Sequence, residues 1–264
     1  MTATNRKGSS TATKVGYVKA MAPTINYYVF TDGVALYHGL DQLTDLPGAD
    51  TTAQYFYSSM TDEGRCHEYG GTTYCWNEKA IRLNDETGSK YWNKSEQADT
   101  LGANSAEFAF HVGHGWEDGI VYGTLNTIKN TTRSDMRFSK AKWVAFDSCL
   151  FLNNSRQNDW VPVFDGVHII MGFDTIGIPK TDQGPQFVAR MRGETYQGTT
   201  YPVTPILYAW RETMKNTIQD GTLKGGYIWA EPSQNDYLPG YGPFIEPMKT
   251  SGQYSIRWDS FACI

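Results

Sequence analysis

The chain has 264 residues, of which 40% are hydrophobic and 19% charged, a composition that can bury a core and is not that of a disordered chain. Its net charge of −5 leaves no basic excess to neutralise phosphates, so general affinity for nucleic acid or anionic membrane is not expected. No apolar run approaches the roughly 20 residues that a membrane-spanning helix needs.

The N-terminal stretch is rich in Ser, Thr and Gly, which predicts a flexible lead-in over residues 1–14 before a single domain over residues 15–264. The first twenty residues contain no apolar signal segment. The sequence therefore leaves the localisation open. Three N-x-S/T triplets, at Asn93, Asn130 and Asn153, and the low lysine content favour an exported protein.

The first predicted elements are a strand over Ile25–Phe30, which ends in a Thr-Asp-Gly turn, and a helix over Asp50–Ser58. Residues 59–104 are polar and rich in turn residues, which predicts irregular structure with short strands and a hairpin at the Gly-Gly pair 70–71. Such a hairpin would bring Cys66 and Cys75 together. The pair is then a disulfide or two buried thiols, and the sequence does not decide between them.

Three near-continuous apolar runs follow, over 106–113, 142–149 and 166–173. Strands that are buried on both faces have this pattern, which is typical of parallel sheets covered by helices. Helices are predicted over 183–191 and 205–219 from the helical spacing of their apolar residues. A further strand is predicted over 225–231, and the tail from Pro232 is predicted to wrap the surface.

Reactive residues stand at the ends of two of these strands. The first strand ends in His-Val-Gly-His-Gly, with His114 and Gly115, and the second ends in Asp147-Ser148-Cys149. Sites in open parallel sheets form at the carboxyl ends of the strands, so His114 and Cys149 face one crevice if the strands are neighbours. An imidazole has the pKa needed to activate a thiol, and a glycine after the histidine lets a backbone N–H approach a substrate carbonyl.

These motifs, with FDSCLF over 146–151, resemble the caspase-like (clan CD) cysteine peptidases, which include caspases, legumains, gingipains, separases and clostripains. The clostripain-type nucleophile strand is the most similar, and the longer pattern also resembles an uncharacterised domain family of archaea and bacteria. The resemblance covers about residues 50–245. It implies a caspase-like three-layer α/β sandwich with a mostly parallel central sheet and helices on both faces. It further implies a peptide or protein substrate and no cofactor.

The resemblance also implies roles for individual residues. Cys149 would attack the scissile carbonyl, His114 would act as general base and protonate the leaving amine, and Gly115 would donate its N–H to the oxyanion. Asp147 matches a position that lies at the floor of the substrate pocket in clostripain-type enzymes, which implies cleavage after Arg or Lys. No segment matches the specificity loops of caspases or legumains. A simpler interpretation remains open, in which Asp147 accepts backbone N–H groups from the loop after His114.

Two other classes of function stay open. His111, His114, Asp147 and Cys149 are all possible metal ligands and would form a hydrolytic metal site if a loop folded them together. Alternatively, the fold is retained as a catalytically inactive binding module. The alternation of a strand points His111 to the opposite face from the site, and His168 is predicted to be a core or rim histidine.

Overall fold

The computed structural model describes residues 2–5, 8–11, 21–37, 43–62, 65–84, 88–93, 102–124, 127–246 and 254–264. Over these ranges the chain forms three α-helices: α1 (Ala49–Thr61), α2 (Gln183–Arg192) and α3 (Ile206–Ile218). The strands are β1 (Thr2–Asn5), β2 (Gly8–Thr11), β3 (Thr24–Gly33), β4 (Cys66–Tyr69), β5 (Thr72–Leu83), β6 (Phe108–Val112), β7 (Gly115–Trp116), β8 (Gly119–Thr124), β9 (Thr127–Thr132), β10 (Trp143–Asp147), β11 (Ile169–Phe173), β12 (Thr195–Tyr196), β13 (Thr199–Thr200), β14 (Asp220–Ala230) and β15 (Ile256–Cys263). Short 3₁₀ helices cover Gly88–Trp92, Ala103–Ser105, Arg133–Asp135, Asn154–Val163 and Glu231–Ser233.

A central sheet of eight strands organises the fold, in the order β15-β14-β11-β10-β6-β3-β5-β4. The five inner strands from β11 to β5 run parallel, whereas β4, β14 and β15 pair antiparallel at the two edges. Every residue of β6, β10 and β11 is buried, which explains their continuous apolar character. The predicted mixed α/β fold with a mostly parallel sheet is confirmed.

The two faces of this sheet are covered differently. All three α-helices pack on one face, where Phe56 of α1 and Phe187 of α2 contact Phe108 of β6. The other face is covered by 3₁₀ helices, which contribute Trp92 and Trp160, and by the small sheet β7-β8-β9. Helices therefore lie on both faces as predicted, but on the second face they are 3₁₀ helices.

The predicted hairpin is β4-β5, with both glycines of its turn at positive φ (59° and 78°). Cys66 lies directly opposite Cys75 in the antiparallel ladder, and the two are joined by a disulfide. Cys149 and Cys263 are free thiols.

Other parts of the chain differ from the prediction. The tail does not only wrap the surface, because Ile256–Cys263 forms β15 and extends the central sheet beside β14. The small sheet formed by β7, β8 and β9 is also absent from the sequence-based assignment. Within the predicted lead-in, β1 and β2 pair antiparallel, and the rest of residues 1–14 lies outside the described residues. Within the described ranges, no helix is long and apolar enough to cross a bilayer.

Candidate active site

The candidate site lies at the carboxyl ends of β6 and β10, which are neighbours in the sheet. Val112 is directly opposite Asp147 in their parallel ladder. His114 and Cys149 each follow that pair by two residues. They therefore lie just beyond the carboxyl ends of two adjacent strands, which are about 4.8 Å apart. The Gly113 N–H donates to the carbonyl oxygen of Asp147 at 3.2 Å, which holds the beginnings of the two loops together.

The orientation of His114 is set by two residues far away in sequence. Its Nε2 lies 2.8 Å from the carbonyl oxygen of Thr44. Since a carbonyl only accepts, Nε2 carries a proton, and in the neutral ring Nδ1 is then the free base. The Tyr37 ring lies 4.5 Å from the imidazole, and its hydroxyl oxygen accepts the backbone N–H of His114 at 2.7 Å. Burial raises the pKa of the Tyr37 hydroxyl well above its usual value, so this group stays neutral.

Gly115 brings the histidine loop into contact with the backbone at the nucleophile. A Cβ atom at this position would lie 2.6 Å from the Cys149 carbonyl oxygen and 2.7 Å from Cβ of Ser148. Side chains do not fit at such distances, so only glycine permits this approach. The main chain after His114 therefore runs directly against the main chain of Cys149.

Cys149 is half-buried, and its thiol donates to the carbonyl oxygen of Gly177 at 3.4 Å. Burial raises the pKa of the Cys149 thiol above its usual value, and the charge of nearby Asp147 raises it further. The next residue, Leu150, has a φ of 56°, in the left-handed region that residues other than glycine rarely adopt. The backbone therefore changes direction directly after the cysteine, two residues beyond the end of β10.

Asp147 is completely buried, and neither of its carboxylate oxygens has a hydrogen-bond partner among the described residues. Burial raises the pKa of this carboxyl from 3.8 to about 7. The structure therefore does not show the simpler role open from the sequence, in which Asp147 accepts N–H groups from the loop after His114. By the alternation of β10, its side chain points to the α-helical face, as Ala145 does.

The four possible metal ligands do not converge. His111 points to the other face of the sheet, where its Nδ1 lies 3.3 Å from Asp32 in a buried cluster with Tyr122 and Trp92. Asp147 lies on the α-helical face, so the sheet separates the two side chains. No group of three or more His, Cys, Asp or Glu residues is placed to share a metal ion in the described part of the chain.

His168 lies just before β11, at the opposite end of the parallel strands from Cys149, and is fully buried. Its Nδ1 is 2.6 Å from Oδ2 of Asp236. The same carboxylate oxygen accepts the Nε1–H of Trp143 at 3.2 Å. This histidine belongs to the core and is not part of the candidate site.

A separate open cleft of about 780 Å³ lies beside β9 and the 3₁₀ helix Asn154–Val163. Arg133 in its wall is paired with Asp118 and Asp159, and Arg137 is paired with Asp165. Neither Cys149 nor His114 lines this cleft. Its charges are satisfied internally, so it offers no chemistry comparable to that of the thiol and the imidazole.

Sequence reasoning missed three contributors to the site: Tyr37, the Thr44 carbonyl and the Gly177 carbonyl. Tyr37 and Thr44 precede His114 by 77 and 70 residues, and Gly177 follows Cys149 by 28. No motif or spacing links them to the dyad, because two of them act through backbone carbonyls, which every residue type carries.

A family model described as a domain of unknown function, DUF6345, matches residues 31–260. The chain belongs to this family. No curated protein matches the chain. Among solved structures, the DUF6345 chain is similar to a secreted C11 cysteine protease from Bacteroides thetaiotaomicron, crystallised with an irreversible peptide inhibitor. The TM-score is 0.41 at 12% identity, over 78% of this chain and 66% of that one, just under two thirds of its length. A similarity of this size is not evidence of a shared activity.

Proposed function

We propose that this protein is a cysteine endopeptidase in which Cys149 is the nucleophile and His114 the general base. The observation that supports the proposal is the register of β6 and β10, in which His114 and Cys149 each follow the paired residues Val112 and Asp147 by two positions, at the carboxyl ends of adjacent strands. The tautomer of His114 supports it, because the ring leaves Nδ1 free to accept a proton. The resemblance of the motifs to caspase-like peptidases points to the same chemistry.

The reaction begins when His114 Nδ1 takes the thiol proton and the Cys149 sulfur forms a bond to the scissile carbonyl carbon. The carbonyl electrons move to oxygen, and their return breaks the C–N bond while Nδ1 gives its proton to the leaving amine. Nδ1 next takes a proton from water, whose oxygen attacks the thioester. The C–S bond then breaks, and the proton returns to sulfur. The Thr44 carbonyl keeps the ring oriented throughout, since it holds Nε2–H in both the neutral and the charged imidazole.

The close approach of Gly115 to the Cys149 backbone supports an oxyanion site built from main-chain N–H groups. The thiol is neutral at rest, because burial raises its pKa and it donates to the Gly177 carbonyl. A peptide that displaces this contact redirects the thiol proton towards Nδ1. We therefore expect slow reaction with small alkylating agents at neutral pH and faster reaction with peptide-based ones.

Asp147 is proposed as the acidic group that selects Arg or Lys at the residue before the cut. Its two unpartnered oxygens are the supporting observation, because a buried carboxylate without hydrogen bonds is costly. A substrate guanidinium or ammonium would supply both the charge and the donors that it lacks. Because Asp147 is fully buried, the pocket has to open to admit that side chain.

The dyad is tested by hydrolysis of a fluorogenic peptide library by wild type, Cys149→Ala and His114→Ala. Both variants are expected to lose activity by at least about 1,000-fold while their far-UV circular dichroism is unchanged. Cys263→Ala is the matched control, since Cys263 is the other free cysteine and lies in β15. Full activity in Cys149→Ala refutes the proposal. Peptide binding by wild type without hydrolysis favours the inactive binding module.

The selectivity is tested separately, with peptides that differ only at the residue before the cut. A preference for Arg or Lys that collapses in Asp147→Asn supports the acidic pocket. A preference for Asp, Asn or apolar residues, or an unchanged profile in Asp147→Asn, removes the pocket and leaves the dyad in place.

A further inference from the structure

We infer that the mouth of the proposed site is an apolar surface that binds an extended peptide through hydrophobic side chains next to the scissile residue. Four large apolar side chains on the segments that build it are exposed: Leu36 (43%), Trp116 (39%), Ile176 (57%) and Ile178 (42%). This inference rests on the proposed function, because it names the substrate class of that same site. Exposed apolar side chains are ordinary when scattered singly, so their position relative to the dyad decides the matter.

Two of the four adjoin the histidine. Leu36 precedes Tyr37, whose ring lies 4.5 Å from the imidazole of His114. Trp116 follows Gly115, whose backbone packs against that of the nucleophile. Each is therefore one residue away from a group that contacts the dyad.

The other two adjoin the cysteine. Ile176 and Ile178 stand on either side of Gly177, whose carbonyl oxygen accepts the Cys149 thiol at 3.4 Å. A peptide that presents its carbonyl to this sulfur has to lie beside Gly177, and its neighbouring side chains then meet the two isoleucines. The four apolar residues thus neighbour, in the chain, groups that contact His114 on one side and Cys149 on the other.

The loop that carries the two isoleucines is held in place by two buried residues, Gln183 and Phe173. The fully buried Gln183 accepts the backbone N–H of Lys180 at 2.7 Å and donates to the carbonyl of Ile178 at 3.2 Å. The ring of Phe173 packs so closely under Gly177 that a Cβ there would lie 2.7 Å from it. A loop held in this way presents its side chains in one arrangement, which favours specific binding over non-specific adhesion.

The chemistry of this surface identifies the occupant as a peptide with Leu, Ile, Val or Phe adjacent to the scissile residue. A hydrophobic contact of this kind distinguishes substrates by about 10-fold to 200-fold. It acts beside the selection by Asp147 and does not depend on it, since none of the four side chains belongs to β10, the strand that carries the carboxylate.

The test compares two peptides that differ only in Leu or Ser next to the scissile residue. The ratio of their kcat/KM values is measured for wild type, Ile178→Ser and Ile25→Ser. Ile25 is the matched control because it is the same residue, is also 42% exposed and lies near the beginning of β3, at the far end of the sheet. We expect wild type and Ile25→Ser to prefer Leu by about 10-fold or more, and Ile178→Ser to lose most of that preference.

Binding of the same peptides to Cys149→Ala, by fluorescence anisotropy, separates this inference from the proposed function. If Cys149→Ala binds the Leu peptide more tightly and the added substitution Ile178→Ser removes that preference, the apolar surface is supported, whether or not wild type hydrolyses either peptide. Binding without hydrolysis by wild type refutes the peptidase instead. Hydrolysis without a preference for Leu, or with a preference that Ile178→Ser leaves intact, overturns the apolar surface and leaves the peptidase standing.

Discussion

Replacement of Asp147 by Asn changes the stability of the protein in a way that depends on pH. The folded-state pKa of about 7 lies about 3 units above the ordinary value of 3.8. At 1.36 kcal/mol per unit, the buried ionised carboxylate destabilises the native state by about 4 kcal/mol. The native state keeps the proton up to about pH 7, whereas the unfolded chain releases it near pH 4. The contribution of Asp147 to stability therefore falls as the pH rises through that window.

Asn has a similar shape and no charge, so Asp147→Asn removes this pH dependence. The free energy of unfolding is measured by urea denaturation at pH 4.5, 6 and 8 for both proteins. Other titrating groups contribute equally to both, so the difference isolates Asp147. We expect a small difference at pH 4.5 that grows to as much as about 4 kcal/mol in favour of Asn at pH 8. A difference that does not vary with pH, or wild type being the more stable at pH 8, refutes the reasoning and indicates a carboxylate that is paired in the native state.

Two further predictions concern Gly115, which follows the histidine, and the disulfide-bonded hairpin. Gly115→Ala places a Cβ 2.6 Å from the Cys149 carbonyl oxygen and should lower kcat by about 100-fold. The control is Gly226→Ala, whose Cβ would have its nearest contact at 3.6 Å and which should leave kcat unchanged. Equal kcat values for the two variants would contradict the proposed approach of the two backbones. Removing the disulfide with Cys66→Ser and Cys75→Ser should lower the free energy of unfolding by about 2 to 3 kcal/mol, because the disulfide closes a short loop. The value of kcat, measured from initial rates, should not change. A loss of activity in folded protein would show that the hairpin contributes to the site.

The parts of the fold that the sequence predicts are those with a strong local signal. The runs that form β6, β10 and β11 are apolar throughout, because both faces of the inner strands are covered. The strand β15 was missed because it lies at a sheet edge, where its half-exposed residues give no continuous apolar run. Its partner β14 also precedes it by more than twenty residues, so no short hairpin signal marks the pair.

The same distinction holds for the candidate site. His114 and Cys149 are identifiable because they follow recognisable strands and because the carboxyl ends of adjacent parallel strands converge. Tyr37 and Gly177 lie on loops that follow other strands. The position of a loop depends on the packing of the folded chain, so the sequence does not predict their contacts with the site. The burial of Asp147 is likewise a property of the helices on its face of the sheet and not of the local sequence.

The central claim is that Cys149 is a nucleophile activated by His114. It is tested most directly by treating the protein with a peptidyl acyloxymethyl ketone and locating the adduct by mass spectrometry. The proposal predicts one equivalent of label on Cys149, none on Cys263, and at least about 100-fold slower labelling in His114→Ala. Labelling that is absent from Cys149, or that proceeds at the same rate in His114→Ala, would contradict it.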